Sequence, residues 1–362
     1  MEKENKRELS FDIAKAIAII LVVCYHCDNF SHGIHSFGTL FYMQLFMFVS
    51  GYFFHYKSDI KSIKDLLKFI WKKTKNIYIF YVKYELIFLV LRNVFINIGF
   101  YSTSLEYGGK YITSITNIKQ FIIEFIKIII GFGREVFAGA FWFLISLIII
   151  IIGYSIINFI SNWQKKVSKT LLINILSVIS FIIGLLMHYF YNIPRFSPAC
   201  TLLLFYNIGN MLSINKNKVK FNNIIIFAIS LGLLIFLNFK GFVAMNNNDF
   251  TDPIFLLICS FFGIYFTMYL SKVLEYKTKY IKNVLCYIGQ NTLIIMGIHF
   301  IGFKLVMLLQ LQFGVINYSD LAVLTGVNND NWWYIVYILF GIGIPLLYNY
   351  FIKIMKNKFI VN

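Results

Sequence analysis

The first apolar stretch of the chain carries three side chains that could take part in chemistry. They are Asp12, Lys15 and His26, in the sequence FDIAKAIAIILVVCYHCDNF. Lys15 and His26 are eleven residues apart. In an α-helix they would therefore lie about 20° apart on one face and about 16 Å apart along the axis. Asp12 comes one turn before Lys15, where it can pair with the lysine.

The spacing of this lysine and this histidine is informative because it spans most of a bilayer. Histidine titrates near neutral pH, so His26 can take a proton from an attacking hydroxyl group. Lys15, near one end of the same face, could meet an anionic cofactor. The alternative is that Asp12 and Lys15 are ordinary interfacial charges and that His26 is a hydrogen-bonded packing residue.

The other histidines and the cysteines are weaker candidates for a catalytic or metal-binding role. His299, in GIHF of a late apolar stretch, is a second histidine of this kind, and packing is its alternative role. His32 and His35 form an H-x-x-H pair in a polar loop, where solvation is the default and weak metal binding is the alternative. The C-x-x-C at 24–27 has no second cysteine pair, so we predict no metal site there. All five cysteines are expected to be free thiols, four of them within apolar stretches.

Further charges lie within or beside apolar stretches. Glu85 and Arg92 are seven residues apart, which places them on one helix face and predicts that they pair. Lys304 has no obvious partner in the sequence. The three lysines of 72–75 could hold phosphates of a cytosolic donor, but the general excess of basic residues in cytoplasmic loops also explains them.

The composition excludes a soluble protein. Apolar residues make up 59% of the 362 residues and charged residues 14%, and the mean hydropathy is +0.72. Soluble domains are roughly 45–50% apolar and about 25% charged. The net charge of +17 does not indicate nucleic-acid binding, because the basic residues occur in short groups between apolar segments and not on one solvated face.

The apolar segments predict an all-α integral membrane protein with about ten transmembrane helices in one bundle, since about 20 apolar residues cross a bilayer. We expect one membrane domain over residues 1–362. The predicted spans are 11–30, 37–56, 77–99, 141–160, 171–191, 198–213, 222–239, 254–271, 285–311 and 332–352. The run 121–133 contains Glu124 and Lys127 and predicts an interfacial or re-entrant helix.

Basic residues in the connections predict the orientation. One alternating set of connections, which includes both termini, holds 23 lysines and arginines, and the other set holds 6. Basic residues favour the cytoplasmic side, so both termini are expected there. The basic stretch 57–75 is expected to lie along the inner leaflet. The high Ile, Asn and Lys content is typical of an AT-rich bacterial genome, and we expect a multi-pass plasma-membrane protein.

The stretch from Phe11 to His26 resembles the opening of the membrane acyltransferase-3 proteins, and is closest to the branch related to fucose 4-O-acetylases. In that branch the first span reads D-x-x-K-G-x-x-I-x-L-V-V-x-x-H. Four later elements are similar in the same order: Met43–Phe53, Phe141–Leu147, Pro194–Gly209 and Ile288–His299. Two positions differ, because Ala16 stands where glycine is usual and Gln44 where proline is common.

The resemblance implies a membrane-bound O-acyltransferase. Such enzymes transfer an acyl group, usually acetyl, from cytoplasmic acyl-CoA to a hydroxyl group of a cell-surface or lipid-linked glycan. It implies that His26 is the general base or accepts the acyl group transiently, and that Lys15, oriented by Asp12, helps to bind the donor. Trp142 would line the acceptor path or anchor an interface, and His299 would be a second polar contact.

The resemblance implies which partners the protein has, and the spans with their charges leave one alternative function open. The expected partners are acetyl-CoA as donor substrate, a glycan acceptor and membrane lipid, with no bound cofactor, no metal and no nucleic acid. The sequence favours no particular oligomeric state. The rival is a glycan or small-anion transporter or flippase, which ten spans with intramembrane charges would also suit.

Overall fold

The computed structural model describes residues 8–27, 36–56, 60–104, 112–164, 167–215, 220–327 and 332–360, and they are almost entirely helical. The α-helices of these residues are α1 (Leu9–Tyr25), α2 (Tyr42–Tyr52), α3 (Ile63–Asn97), α4 (Ile118–Ile129), α5 (Trp142–Trp163), α6 (Lys169–Tyr189), α7 (Phe196–Ile214), α8 (Ile224–Asn238), α9 (Pro253–Lys277), α10 (Tyr280–Gln290), α11 (Thr292–Gln312) and α12 (Trp333–Ile360).

Short elements connect some of these helices. The 3₁₀ segments of the described residues are Gly38–Leu40, Val136–Phe141, Met245–Asn247 and Tyr318–Ala322. Two two-residue strands, β1 (Val243–Ala244) and β2 (Asp249–Phe250), pair antiparallel, with Val243 opposite Phe250. The predicted all-helical architecture is therefore confirmed.

Five helical segments of the described residues are long and apolar enough to cross a membrane. They are Val136–Trp163, Lys169–Tyr189, Pro253–Lys277, Thr292–Gln312 and Trp333–Lys356. Helix α8 is equally apolar but has only 15 residues. These lengths and compositions are those of a helical membrane protein.

Three of the predicted spans differ clearly from the helices in the structure. Helix α2 has 11 residues where a span over 37–56 was predicted. The predicted span 285–311 is two helices, α10 and α11, because Asn291 lies between them and its side chain donates to the carbonyl of Tyr287. Helix α3 has 35 residues, so most of the basic stretch continues directly into the predicted third span.

The chain divides into two compact units, of which the first contains Met1–Val22, Ser36–Ile70 and Ile149–Thr292. Its centre is the contact between α2 and α7. A Cβ atom added to Gly51 would lie 1.9 Å from the carbonyl oxygen of Tyr206, and one added to Gly209 would lie 1.9 Å from that of Phe48. The two backbones therefore touch at these two glycines.

Polar side chains of α7 end the short helix α2. The amide of Asn210 donates to the carbonyl oxygens of Gly51 at 3.2 Å and Phe54 at 2.5 Å. The hydroxyl of the buried Tyr154 donates to Asn210 and to Asn207, at 3.0 and 2.8 Å. Because side chains satisfy the last carbonyls of α2, the helix can end inside the unit.

The second unit contains Val23–His35, Trp71–Ile148 and Leu293–Asn362. An aromatic cluster fills part of its core, where the ring of Phe137 lies 4.9 Å from the rings of both Phe95 and Tyr101. Helix α4 shows apolar side chains on its open face, including Ile118, Ile122 and Ile126. The helix predicted around 121–133 is thus present and amphipathic.

We predict that Gly51→Ala destabilises the protein, because the new methyl group overlaps the Tyr206 carbonyl and must push α2 from α7. The expected loss is about 1–3 kcal/mol, as for other overpacked cores. Unfolding temperature in detergent measures it. Gly232→Ala in α8 is the matched control, since nothing lies within 4 Å of its added Cβ. If both substitutions lowered the unfolding temperature equally, the close contact between α2 and α7 at Gly51 would be contradicted.

Candidate active site

Asp12 and Lys15 form an ion pair on α1. Lys15 Nζ lies 2.8 Å from Asp12 Oδ1, and the side chains are 26% and 6% exposed. Asp12 Oδ2 also accepts a hydrogen bond of 3.4 Å from Gln290 Nε2. The pairing expected from the sequence spacing is therefore present, and Asp12 has a second partner on α10.

Gly289 lets α10 approach α1 at this ion pair. A Cβ atom on Gly289 would lie 1.8 Å from the carbonyl oxygen of Asp12. A glycine is needed for this backbone contact. The contact gives a physical reason for the I-G-Q-N-T element at 288–292. Its glycine, Gly289, allows α10 to pack against the backbone of α1, and its glutamine, Gln290, donates a hydrogen bond to the Asp12 carboxylate.

His26 and His299 lie against each other in the second unit. Their ring centroids are 5.3 Å apart and the ring planes are 28° apart, a stacked arrangement. His26 directly follows the end of α1 and is half-buried, whereas His299 lies in α11 and is fully buried. Phe300 packs edge-on against His26 at 4.9 Å. Two histidines that are far apart in the sequence thus form one group.

The hydrogen bonds of His299 indicate the role of each ring nitrogen. Nδ1 lies 3.1 Å from the carbonyl oxygens of both Ile295 and Met296. Carbonyl oxygens only accept, so Nδ1 carries the proton and a neutral ring presents Nε2 as an acceptor. Nε2 has no hydrogen-bond partner among the described residues. A buried acceptor without a partner, beside a second imidazole, can accept a hydrogen bond from a ligand.

Trp142 stands apart from the histidine pair. It begins α5 and is half-buried, and its aromatic neighbour among the described residues is Phe143, at 6.1 Å. The 3₁₀ segment Val136–Phe141 leads into it. The structure therefore does not bring the indole ring onto His26 or His299.

A buried charge network fixes the chain just before this 3₁₀ segment. Arg92 donates to Glu135 Oε1 from Nε at 3.0 Å and from Nη2 at 2.5 Å, and Nη2 also lies 3.4 Å from Glu124. Burial raises the pKa of Glu135, and the charge of Arg92 opposes this shift. The predicted pairing of Arg92 with Glu85 was wrong, since Arg92 pairs with Glu135 and Glu124. The carboxylate of Glu85 accepts a hydrogen bond of 3.3 Å from the backbone N–H of Glu135.

The comparisons with known proteins identify the family. The family model described as "Acyltransferase domain" matches residues 8–350, nearly the whole chain. The chain belongs to the acyltransferase-3 family. Comparisons with curated proteins and with solved structures gave no match. The chain is therefore an acyltransferase with membrane-spanning helices, and the Asp12–Lys15 ion pair and the His26–His299 pair both lie within the matched residues.

Sequence reasoning missed the partners of Lys304 in this acyltransferase. The buried Lys304 ammonium donates to the carbonyl oxygens of Leu321, at 2.5 Å, and Val323. Backbone carbonyls are present at every residue, so no sequence pattern points to them. The only available signal was a lysine within an apolar stretch, which must find a partner inside the protein.

The described residues contain no group of three or more side chains that could hold a metal ion. All five cysteines are free and buried, as predicted. His32 and His35 lie outside the described residues.

Proposed function

We propose that this acyltransferase transfers an acetyl group from cytoplasmic acetyl-CoA to a hydroxyl group of a cell-surface or lipid-linked glycan. The stacked pair of His26 and His299 carries the proposal, because a transfer to a hydroxyl group needs a base. The resemblance to the fucose 4-O-acetylase branch supports acetyl as the acyl group and a sugar as the acceptor.

In this reaction His26 takes the proton of the acceptor hydroxyl group as its oxygen attacks the thioester carbonyl. A C–O bond forms, the C–S bond breaks, and the departing thiolate of coenzyme A takes up the proton that His26 removed, which returns His26 to its neutral form. Nε2 of His299 accepts a hydrogen bond from the bound substrate and holds it against His26. The alternative is a covalent route in two transfers. The His26 imidazole first attacks the thioester, so that a C–N bond forms as the C–S bond breaks, and the sugar oxygen then attacks the acetyl group, so that a C–O bond forms as the C–N bond breaks.

Lys15 helps to bind the donor substrate, acetyl-CoA. Coenzyme A is an anion with phosphate groups, and the partly exposed ammonium of Lys15 offers charge and hydrogen-bond donors. Asp12, held by Lys15 and Gln290, orients this ammonium. Trp142 lines the path of the acceptor, a role that rests on the family resemblance.

The proposal includes a membrane orientation. Ten spans with both termini in the cytoplasm would place Lys15 near the cytoplasmic donor and His26 toward the glycan, in the plasma membrane of a bacterium. The excess of basic residues in one set of connections supports this orientation. A transporter or flippase would move a glycan without consuming acetyl-CoA, and the family and the histidine pair favour transfer.

We predict that His26→Ala lowers transfer by about 10²–10⁴-fold, the usual contribution of a general base. Inverted membrane vesicles with radiolabelled acetyl-CoA measure label in the glycan. His55→Ala is the matched control, because His55 is an exposed histidine outside the pair. Full labelling by a well-expressed His26→Ala protein would refute the role of His26. Absence of both labelled glycan and coenzyme A release with the wild type would favour the transporter.

We predict that Lys15→Ala lowers kcat/KM for acetyl-CoA by about 10- to 100-fold, as expected for one lost hydrogen bond to a charged group. Lys15→Arg keeps the charge and is expected to lose less. The same vesicles, with acetyl-CoA varied, supply the measurement, and Lys64→Ala removes an exposed lysine as control. Equal losses for both Lys15 variants would show that shape, and not charge, is required.

A further inference from the structure

Lys304 holds a loop segment that we call the strap, residues 321–327. Its side chain is 1% exposed, and its ammonium donates to the carbonyl oxygens of Leu321 and Val323 and lies 3.6 Å from Met307 Sδ. These three contacts match the three donors of an ammonium group. Within the described part of the chain, no carboxylate pairs with Lys304.

Aromatic rings complete the surroundings of this ammonium. The ring centroids of Phe100 and Phe137 lie 5.9 and 6.0 Å from Nζ. Ring faces attract a cation, which offsets part of the cost of burying it. A neutral side chain at 304 would leave two strap carbonyls without their donor, and a buried polar group without a partner is costly.

The far end of the strap is fixed as well. Gln310 Nε2 donates to the carbonyl of Val327 at 3.0 Å, and the Val327 amide donates to the Tyr337 hydroxyl at 3.2 Å. The Tyr337 hydroxyl in turn donates to Gln310 Oε1 at 2.5 Å. Helix α11 thus binds both ends of the strap, and α12 binds the Val327 end.

The strap contacts the backbone of His26. The amide of Gly326 donates to the carbonyl oxygen of His26 at 3.0 Å. This carbonyl directly follows α1, where the helix supplies no further donors. Helix α11 therefore holds His26 in two ways: His299 stacks on its ring, and Lys304, five residues later, holds the strap that binds its backbone.

We propose that Lys304 is a positioning residue for His26 and acts through the strap. It does not touch the reacting atoms. Its ammonium fixes residues 321–327, Gly326 fixes the His26 backbone, and the imidazole stays stacked on His299 in the orientation for proton transfer. The effect on catalysis rests on the function proposed above, whereas the effect on the position of His26 does not.

The test compares Lys304→Met with Lys83→Met in the full-length protein in detergent. Methionine matches the unbranched shape of lysine but has no ammonium, and Lys83 is an exposed lysine of α3. The first readout is the rate at which diethyl pyrocarbonate modifies His26, followed by mass spectrometry. The second is kcat and KM for acetyl-CoA.

Lys304→Met is expected to raise the His26 modification rate several-fold and to lower kcat without changing KM for acetyl-CoA. Lys83→Met should change neither readout. Tyr337→Phe removes only one hydroxyl group from the other end of the strap and should shift both readouts less, in the same direction. If Lys304→Met fails to fold, Tyr337→Phe tests whether the strap positions His26.

An unchanged His26 modification rate in a folded Lys304→Met or Tyr337→Phe protein would overturn the proposal. A faster modification with undiminished kcat would overturn the catalytic part. If the wild type transfers no acetyl group, the proposed function fails, and the modification rates still decide whether Lys304 positions His26.

Discussion

Ionisable groups inside an apolar helical protein must find their partners within the protein, and this constraint explains most of the polar contacts described above. Asp12 pairs with Lys15, Arg92 with Glu135, and Lys304 with two backbone carbonyls. Each contact joins different segments or fixes a side chain on its own helix. The cost of an unpaired charge in such surroundings thus accounts for the partners that these charged side chains take.

Nε2 of His299 is one of the buried side-chain atoms without a hydrogen-bond partner among the described residues, and the proposed function depends on it. The other nitrogen of the ring is well bonded. The ring stacks on His26, a histidine that follows a helix carrying an ion pair. In an acyltransferase, an imidazole beside an open acceptor suits the binding and deprotonation of a hydroxyl group.

The sequence predicted the helical class and the Asp12–Lys15 pair, because helical periodicity determines contacts within one helix. The catalytic role of His26 stays a prediction. It did not predict the break at Asn291, the shortness of α2, or the pairing of Arg92 with Glu135. Those depend on side chains of other segments, such as Asn210, which binds the last carbonyls of α2. The strap was missed because its contacts to Lys304 are backbone carbonyls.

The most direct test of the account is a cryo-EM structure of the protein with an unreactive acetyl-CoA analogue, in which a thioether replaces the thioester. We expect the end of the analogue that replaces the acetyl group to lie at the histidine pair. Space for an acceptor hydroxyl group should lie within about 3.5 Å of both the His26 ring and the carbon that stands in for the thioester carbonyl carbon. A position of that end far from both histidines would contradict the account.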